Sequence, residues 1–345
     1  MMTKRRRARQ KVGKKRKNRP DKAEIMEEIV ITGIGVISPL GIGRSDFITA
    51  KRQNKHGIAD LTLCHPAGAC EHAAEVNGYD WKAFCFSKQT YLDRATQLLL
   101  GAARLALEDA ALPPPIPNEA PPLGFCLGTR WGCLESAERF YEPLAHGKGR
   151  TASSLVFSHS YPNCPTSFAA IEMGLRGYST SFAGSRLAGL WALRSAFDAI
   201  RLGTAERILV AAVDAISAAA IGHAEKRGEL PSTRGQQPPL HVAPDSPWAR
   251  VPGEGAVGWL LETATSAQQR QRPIFGRLLA VEDATGAAAE ALYPGVGDSH
   301  AVAAFFTLLC LLDAASAGET ISIAQSDGDS ALRVVLARGS ASLAI

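Results

Sequence analysis

Apolar residues recur along the chain in two patterns, continuous runs and helical spacing, and together these predict alternating strands and helices. Runs rich in β-branched or continuous apolar residues, typical of buried strands, begin at Ile29 and cover 123–128, 207–213, 255–262 and 331–337. Apolar residues at helical spacing predict helices over 91–112, 187–202 and 301–312, and small residues predict another over 167–175. The proline-rich segment 113–122 is expected to be a surface connector. Strands and helices that alternate in this way favour a layered α/β fold.

Composition is consistent with a soluble globular protein of one or two domains. Of the 345 residues, 46% are hydrophobic and 21% are charged, which are ordinary proportions. The apolar stretch 187–202 is interrupted by Arg194, Asp198 and Arg201, so we predict no membrane span and a cytoplasmic protein. The seven cysteines lack CxxC spacing, and reduced thiols are expected.

Positive charge is concentrated at the start of the chain. Residues 1–22 hold twelve Lys or Arg and a single acidic residue, whereas the remainder holds 26 basic and 32 acidic residues. We therefore predict that residues 1–25 form a disordered basic tail, which is inert or binds nucleic acid or anionic lipid through phosphate contacts. The tail has no aromatic residue to stack on bases, which does not favour nucleic acid. A further interpretation is that Met26 is the true first residue.

The segment 178–186 has the composition of a tight turn that leads into the predicted helix of 187–202. Such a turn drives one side chain into a pocket at the helix start. The first helical turn has unpaired N–H groups and partial positive charge, a setting that activates a thiolate or holds an oxyanion. We place Phe182 at the tip, and phenylalanine cannot attack a carbonyl, take a proton or bind a metal. The position suited to a nucleophile is thus predicted to hold an unreactive side chain.

Other polar residues are interpreted as structural. Cys64-His65 with Cys70 and His72 could offer zinc ligands, but Pro66–Ala69 is a flexible spacer and a surface loop is favoured over a metal site. For His159 we expect a structural hydrogen bond. For Glu254 we expect a buried carboxylate that accepts backbone N–H bonds. The glycines after the first strand lack dinucleotide-loop spacing, and no cofactor is predicted.

Several of these stretches resemble the β-ketoacyl-ACP synthase family, from Glu28 to about Leu336. The string V-x-T-G-x-G-x-x-S-P-L-G at 30–41, Asp93-Arg94-Ala95, Pro162-Asn163 and the G-E-G-A block at 253–256 carry the resemblance. Thr180-Ser-Phe-Ala183 is similar to the family's Thr-Ala-Cys-Ser/Ala, and the acyl-carrying Cys then falls on Phe182. The resemblance implies a thiolase-like αβαβα fold of two similar halves. We expect these halves at 26–250 and, shortened, at 251–345.

The second half departs from the family's catalytic pattern. Active members have one histidine in H-G-T-G-T and another in G-H-x-x-G-A-A-G, which stabilise an oxyanion. No H-G-T-G occurs, and aligning 297–302 with the second motif puts Pro294 at the histidine and His300 at a glycine. The family's glycine-rich gate corresponds to 324–329, where its glycines are largely replaced. The resemblance therefore implies a homologue with no catalytic residue.

The leading hypothesis is a non-condensing subunit, similar to a chain-length factor. It would pair with an active ketosynthase, or with itself, through 158–177 and the strand after Gly203, and would work with an acyl carrier protein. One alternative is a diverged acyltransferase that uses Ser181, Ser185 or Cys164, although a serine needs an adjacent base. Another is a nucleic-acid-associated protein acting through its basic tail.

Overall fold

The computed structural model describes residues 27–64, 68, 70–284 and 293–343. The predicted basic tail, Met26 and His65 therefore lie outside the described residues. The strands of the described part are β1 (Ile29–Ser38), β2 (Gly41–Ile42), β3 (Ile58–Asp60), β4 (His72–Ala74), β5 (Gly124–Thr129), β6 (Ser179–Ala183), β7 (Arg207–Asp214), β8 (Gly255–Thr263), β9 (Gly276–Asp283), β10 (Thr320–Asp327) and β11 (Ser330–Arg338). The α-helices are α1 (Arg44–Arg52), α2 (Arg94–Asp109), α3 (Leu134–Ala145), α4 (Ser154–Ser158), α5 (Cys164–Met173), α6 (Ala188–Arg201), α7 (Ala218–Lys226), α8 (Ala264–Gln269) and α9 (Ala303–Ala314).

A mixed nine-stranded sheet forms the centre of the molecule. Its order is β10-β11-β9-β1-β8-β7-β5-β6, with β2 paired to β1. Strand β5 runs parallel to β6 and β7, and the other pairs are antiparallel. Residues 29–31 of β1 pair with β8 on one edge and with β9 on the other. Strands β9, β10 and β11 therefore extend the same sheet beyond β1.

Helices cover both faces of this sheet, because neighbouring strand residues point to opposite sides. In β7, residues 208, 210 and 212 pack in the core that includes α6 and α9. Residues 209, 211 and 213 pack in the other core, with α2. This arrangement confirms the layered α/β fold, and the predicted boundary between halves near 250 stays a prediction.

The sequence patterns located most core elements but not all their ends. The helix predicted over 91–112 is α2, which begins at Arg94 because the Asp93 side chain accepts the N–H of Ala95. Burial raises the pKa of Asp93 to about 6. Residues 301–302 belong to a separate 3₁₀ turn before α9. Within the described ranges, no helix is long and apolar enough to cross a membrane.

The expectation that the strand after Gly203 forms a subunit interface is wrong. That strand is β7, and both its edges are hydrogen-bonded, one to β5 and the other to β8. It has no free edge for a second chain. The outer strand at this end of the sheet is instead β6, which directly follows α5.

Two glycines bring the backbone segments around β5 and α6 into direct contact. A Cβ atom added to Gly128 would lie 2.2 Å from the carbonyl oxygen of Ala188. One added to Gly189 would lie 2.3 Å from the carbonyl oxygen of Ala301. The start of α6 is therefore packed tightly between the end of β5 and the segment that precedes α9.

Candidate functional site

The turn before α6 does not have Phe182 at its tip. Phe182 is a half-buried residue of β6 whose side chain packs against the hydrophobic core. The chain turns afterwards, at Gly184, which has a φ of +92° and donates its N–H to the carbonyl oxygens of Thr129 and Arg130. The reason for the difference is the length of β6, which continues to Ala183. Ser185 and Arg186 are therefore the side chains next to the helix start.

Arg186 forms a two-pronged ion pair with Asp298. Its Nη1 and Nη2 atoms lie 2.8 and 2.6 Å from Oδ1 and Oδ2 of the carboxylate. Burial alone would raise the pKa of Asp298, but the His300 ring and the Arg186 guanidinium outweigh burial and hold it well below its usual range. The bidentate geometry is a strong form of charge-assisted contact. It joins the α6 turn to the segment before α9.

Asp327, at the end of β10, reaches the same turn. Its Oδ2 accepts hydrogen bonds from Ser185 Oγ and from the N–H of Arg186, each at 2.8 Å. Burial would raise the pKa of Asp327, but these hydrogen bonds and the nearby guanidinium groups lower it. The segment aligned with the family's glycine-rich gate is thus the end of a β-hairpin that contacts the turn.

Arg186, Asp298 and Asp327 belong to a charged cluster that also includes His300, Arg130 and Asp214. His300 lies next to Asp298 and Arg130. Its backbone φ is +49°, and its Nδ1 lies 3.3 Å from Oδ1 of Asp298 and 3.2 Å from Nη1 of Arg130. The Arg130 guanidinium lies over the ring of Trp131 and 3.6 Å from Glu229. The Trp131 ring also meets the His300 ring edge-on, with centroids 5.5 Å apart.

The fully buried carboxylate of Asp214 holds the backbone around Arg130 and His300 in place. Asp214, the last residue of β7, accepts the N–H groups of Arg130 and Trp131 on one oxygen and that of Ala301 on the other. It also accepts the hydroxyl of Thr129. Burial raises the pKa of Asp214. Its hydrogen bonds join two chain segments, 129–131 and the one at Ala301, to the end of β7.

A narrow apolar cleft, with a cavity volume of about 20 Å³, lies beside the charged cluster. Its walls come mainly from Trp131, Ile216, Ile221 and Leu230. Asp298 and His300 line one side. Pro294, the predicted position of the second catalytic histidine, begins a 3₁₀ turn and lines a different hollow, with His56 and His241. Its side chain has no hydrogen-bond donor.

The structural role predicted for Glu254 is confirmed. Its carboxylate is fully buried and accepts the N–H groups of Val76 and Ile216. It also forms an ion pair with Arg94, at 2.7 Å. The resulting network joins α2 to the segment before β8.

The structural hydrogen bond predicted for the His159 side chain is not what holds it. The ring is buried and stacks on Phe168 with centroids 4.5 Å apart, and it meets Tyr91 edge-on. Its Nδ1 has no hydrogen-bond partner among the residues described. Burial lowers the pKa of His159. Aromatic packing therefore fixes this residue.

The cysteine and histidine cluster at 64–72 is only partly described. The His72 ring lies against Trp248, with Thr233 at 3.4 Å and Asp60 at 3.5 Å from its nitrogens. Burial raises the pKa of Cys64 to about 12 and that of Cys70 to about 11. Neither thiol is therefore poised as a thiolate. Across the described residues, no group of three or more potential ligands is arranged for a metal.

The alternative nucleophiles have other partners. Ser181 Oγ lies 2.7 Å from Thr166 Oγ1. The Cys164 thiol is buried and donates to the carbonyl of Ser158, and the neighbouring Cys133 thiol lowers the pKa of Cys164. Ser185 donates to Asp327, as described above.

Sequence reasoning missed most of the charged cluster. It assigned no role to Arg186, Asp298, Asp327, Arg130 or Asp214. Asp298 and Asp327 lie 112 and 141 residues after Arg186, so no local spacing could connect them. The one available signal was a charged residue next to a predicted helix start, in a segment made largely of small residues.

Comparison with known proteins identifies the family. The family model described as "Beta-ketoacyl synthase, N-terminal domain" matches residues 26–267, which is more than half of the chain. The chain belongs to the β-ketoacyl synthase family. This ketosynthase homologue is 30% identical over 261 residues to the ketoacyl synthase beta subunit of the Streptomyces glaucescens tetracenomycin polyketide synthase, covering 72% of the chain and 62% of that relative. It is 25% identical to 3-oxoacyl-[acyl-carrier-protein] synthase 2 of Synechocystis, covering 73% of the chain and 62% of the relative.

Solved structures support the same fold. The ishigamide ketosynthase/chain length factor matches with a TM-score of 0.72 and 24% identity, over 90% of this chain and 99% of that one. A type II polyketide ketosynthase in complex with its acyl carrier protein, AntDE:AntF, matches with a TM-score of 0.71 and 16% identity, over 91% and 100%. The thiolase-like ketosynthase fold is thereby established for this homologue. The chain spans about 62% of the length of the curated relatives described above.

Proposed function

We propose that this ketosynthase homologue is a non-condensing subunit that works as a chain-length-factor-like partner of an active ketosynthase. The observation that carries the proposal is the Arg186–Asp298 ion pair at the start of α6, where a nucleophile would be expected. Neither Phe182 nor Pro294 has a group that could attack a thioester or donate to an oxyanion. The similarity to a polyketide ketoacyl synthase beta subunit supports the proposal.

The nearest hydroxyl in the turn is poorly activated. Ser185 donates to Asp327, whose pKa lies below its usual value. Such a carboxylate is a weak base and cannot efficiently remove a hydroxyl proton near neutral pH. This geometry argues against acyl transfer through Ser185.

The surface of α3, α4 and α5 offers a place for the partner. Large apolar side chains are exposed there: Tyr141, Leu144, Leu155, Phe157, Tyr161 and Ile171. The Phe157 ring contacts those of Phe140 and Tyr161, and exposed apolar clusters of this kind are typical of protein interfaces. Next to it lies β6, the last strand of the sheet. We propose that 158–177 and the β6 edge bind the ketosynthase subunit, which accepts chains from an acyl carrier protein.

Co-expression with an intact type II ketosynthase tests this proposal. Alone, the chain is expected to aggregate or self-associate, and with the partner it should form a soluble heterodimer on size-exclusion chromatography with light scattering. A stable monomer that binds no ketosynthase would contradict the proposal.

Two surface variants make the test specific. Ile171, in α5, is 76% exposed, and Leu202, at the end of α6, is 80% exposed. Ile171→Asp should abolish the heterodimer while leaving the melting temperature unchanged. Leu202→Asp is the matched control and should leave the heterodimer intact.

A further inference from the structure

The position of Arg186 relative to α6 differs fundamentally from that of Phe182. Helix α6 begins at Ala188, and its N-cap residue, Leu187, has no side-chain cap of its own. Arg186 directly precedes that N-cap residue. Phe182 is four residues earlier, inside β6. The field of a helix N-terminus is strongest within about one turn of it, so position 186, next to the N-cap residue, is the better placed of the two.

Two distant segments converge on Arg186. The side chain is bound by Asp298, from the segment that resembles the family's second histidine motif. The backbone N–H is bound by Asp327, from the segment that resembles the family's gate. The guanidinium thus lies where the turn, the histidine-motif segment and the gate segment meet.

We propose that Arg186, rather than Phe182, stands in the place of the family's nucleophile, and that its ion pair with Asp298 is an ionic latch that closes this site. The latch holds the 298–300 segment against the α6 turn beside the apolar cleft. This inference rests on the proposed non-condensing function. It identifies Arg186 as the residue that stands where the family's reactive cysteine would be.

The charges around the latch predict how a thiol would behave at each position. The charged or titratable groups around position 186 are Arg130, Asp214, Glu229, Asp298, His300 and Asp327. Replacing Asp298 by Asn removes the carboxylate that directly faces position 186, while Arg130 remains and Asp327 and Glu229 are the nearest remaining carboxylates. Position 186 still directly precedes the α6 N-cap, and a helix N-terminus favours a thiolate. A thiol at position 182, inside the edge strand β6, does not adjoin the N-cap of α6.

The test compares Arg186→Cys/Asp298→Asn with Phe182→Cys/Asp298→Asn. Iodoacetamide alkylation is followed from pH 5 to 10, and peptide mass spectrometry separates each new thiol from the seven native cysteines. The thiol at 186 should titrate at least about one pH unit below the thiol at 182 and react about tenfold faster at pH 7. An equal or higher midpoint at 186 overturns the assignment.

A charge exchange keeps the latch testable if a cysteine variant does not fold. Arg186→Asp and Asp298→Arg should each lower the melting temperature, and the double variant should recover most of the loss. Failure to recover, or single variants without effect, overturns the latch. Neither experiment uses an acyl donor or a ketosynthase. An acyl adduct or a lack of pairing would overturn the proposed function separately.

Discussion

Arg94 Nη2 lies 2.7 Å from Glu254 Oε1, and this contact binds helix α2 to a fully buried carboxylate. Arg94→Met would leave that carboxylate without its cation. Removing one partner of a buried pair typically costs about 3–5 kcal/mol. We expect a loss of this size in the free energy of unfolding, measured by urea denaturation.

The matched control is Arg94→Met/Glu254→Gln, in which the buried charge is also removed. The amide oxygen introduced by Glu254→Gln can still accept an N–H of Val76 or Ile216. The double variant should recover part of the stability. A single Arg94→Met variant as stable as wild type would show that the ion pair is not needed.

The Arg186–Asp298 pair predicts a specific pH dependence. The folded pKa of Asp298 is below its unfolded value, so the pair's stabilisation is complete above about pH 4 and is lost as pH falls further. Arg186→Met should lower the free energy of unfolding by about 3 kcal/mol at pH 7. The difference from wild type should shrink below about pH 4. Urea titrations from pH 3 to 7 measure it.

Arg333→Met is the control for that series. Arg333 pairs with Glu282 on the surface, where both side chains are about half exposed. Exposed pairs contribute roughly 0–1 kcal/mol. A pH-independent loss in Arg186→Met would contradict the assignment of the effect to Asp298.

Gly189 is expected to tolerate no side chain. The Cβ of Gly189→Ala would lie 2.3 Å from the backbone oxygen of Ala301, so α6 or the adjacent segment must move. We expect a loss of about 1–3 kcal/mol, as for other overpacked sites. Gly222→Ala, in α7, meets nothing within 4 Å and should be neutral or stabilising. Equal effects of the two substitutions on the melting temperature would contradict the packing argument.

Acyl donors should not modify the turn. After incubation with acyl-ACP or a cerulenin-type electrophile, mass spectrometry should find no adduct on 178–186, because no thiol stands there. Phe182→Cys alone should give at most a labelled thiol, since the family's histidine donors are missing. A stoichiometric adduct in the wild-type segment would contradict the non-condensing function.

The basic tail should be dispensable for folding. Residues 1–22 contain few apolar side chains, so they cannot offset the entropy of becoming ordered. A chain that starts at Met26 should melt at the same temperature as the full chain. A decrease of more than a few degrees would show that the tail binds to the folded part.

Several elements could be predicted from the sequence because their signals are local. The β-branched run from Ile29 and the helical spacing before α2 and within α6 each reflect burial of one face or of a whole strand. The buried role of Glu254 followed from its glycine-rich surroundings and the strand after it. Helix ends were less certain, because caps such as Asp93 depend on one side-chain hydrogen bond.

The site itself depended on contacts that no local pattern contains. The sequence by itself determined the α/β class, the family resemblance and the lack of a thiol between 178 and 186, since these follow from residue identity and periodicity. Only the tertiary structure decided that β6 runs through Phe182 and that Arg186 meets Asp298, 112 residues away. An ion pair forms where the packed sheet and helices bring two charges together, and that distance is set by the whole fold.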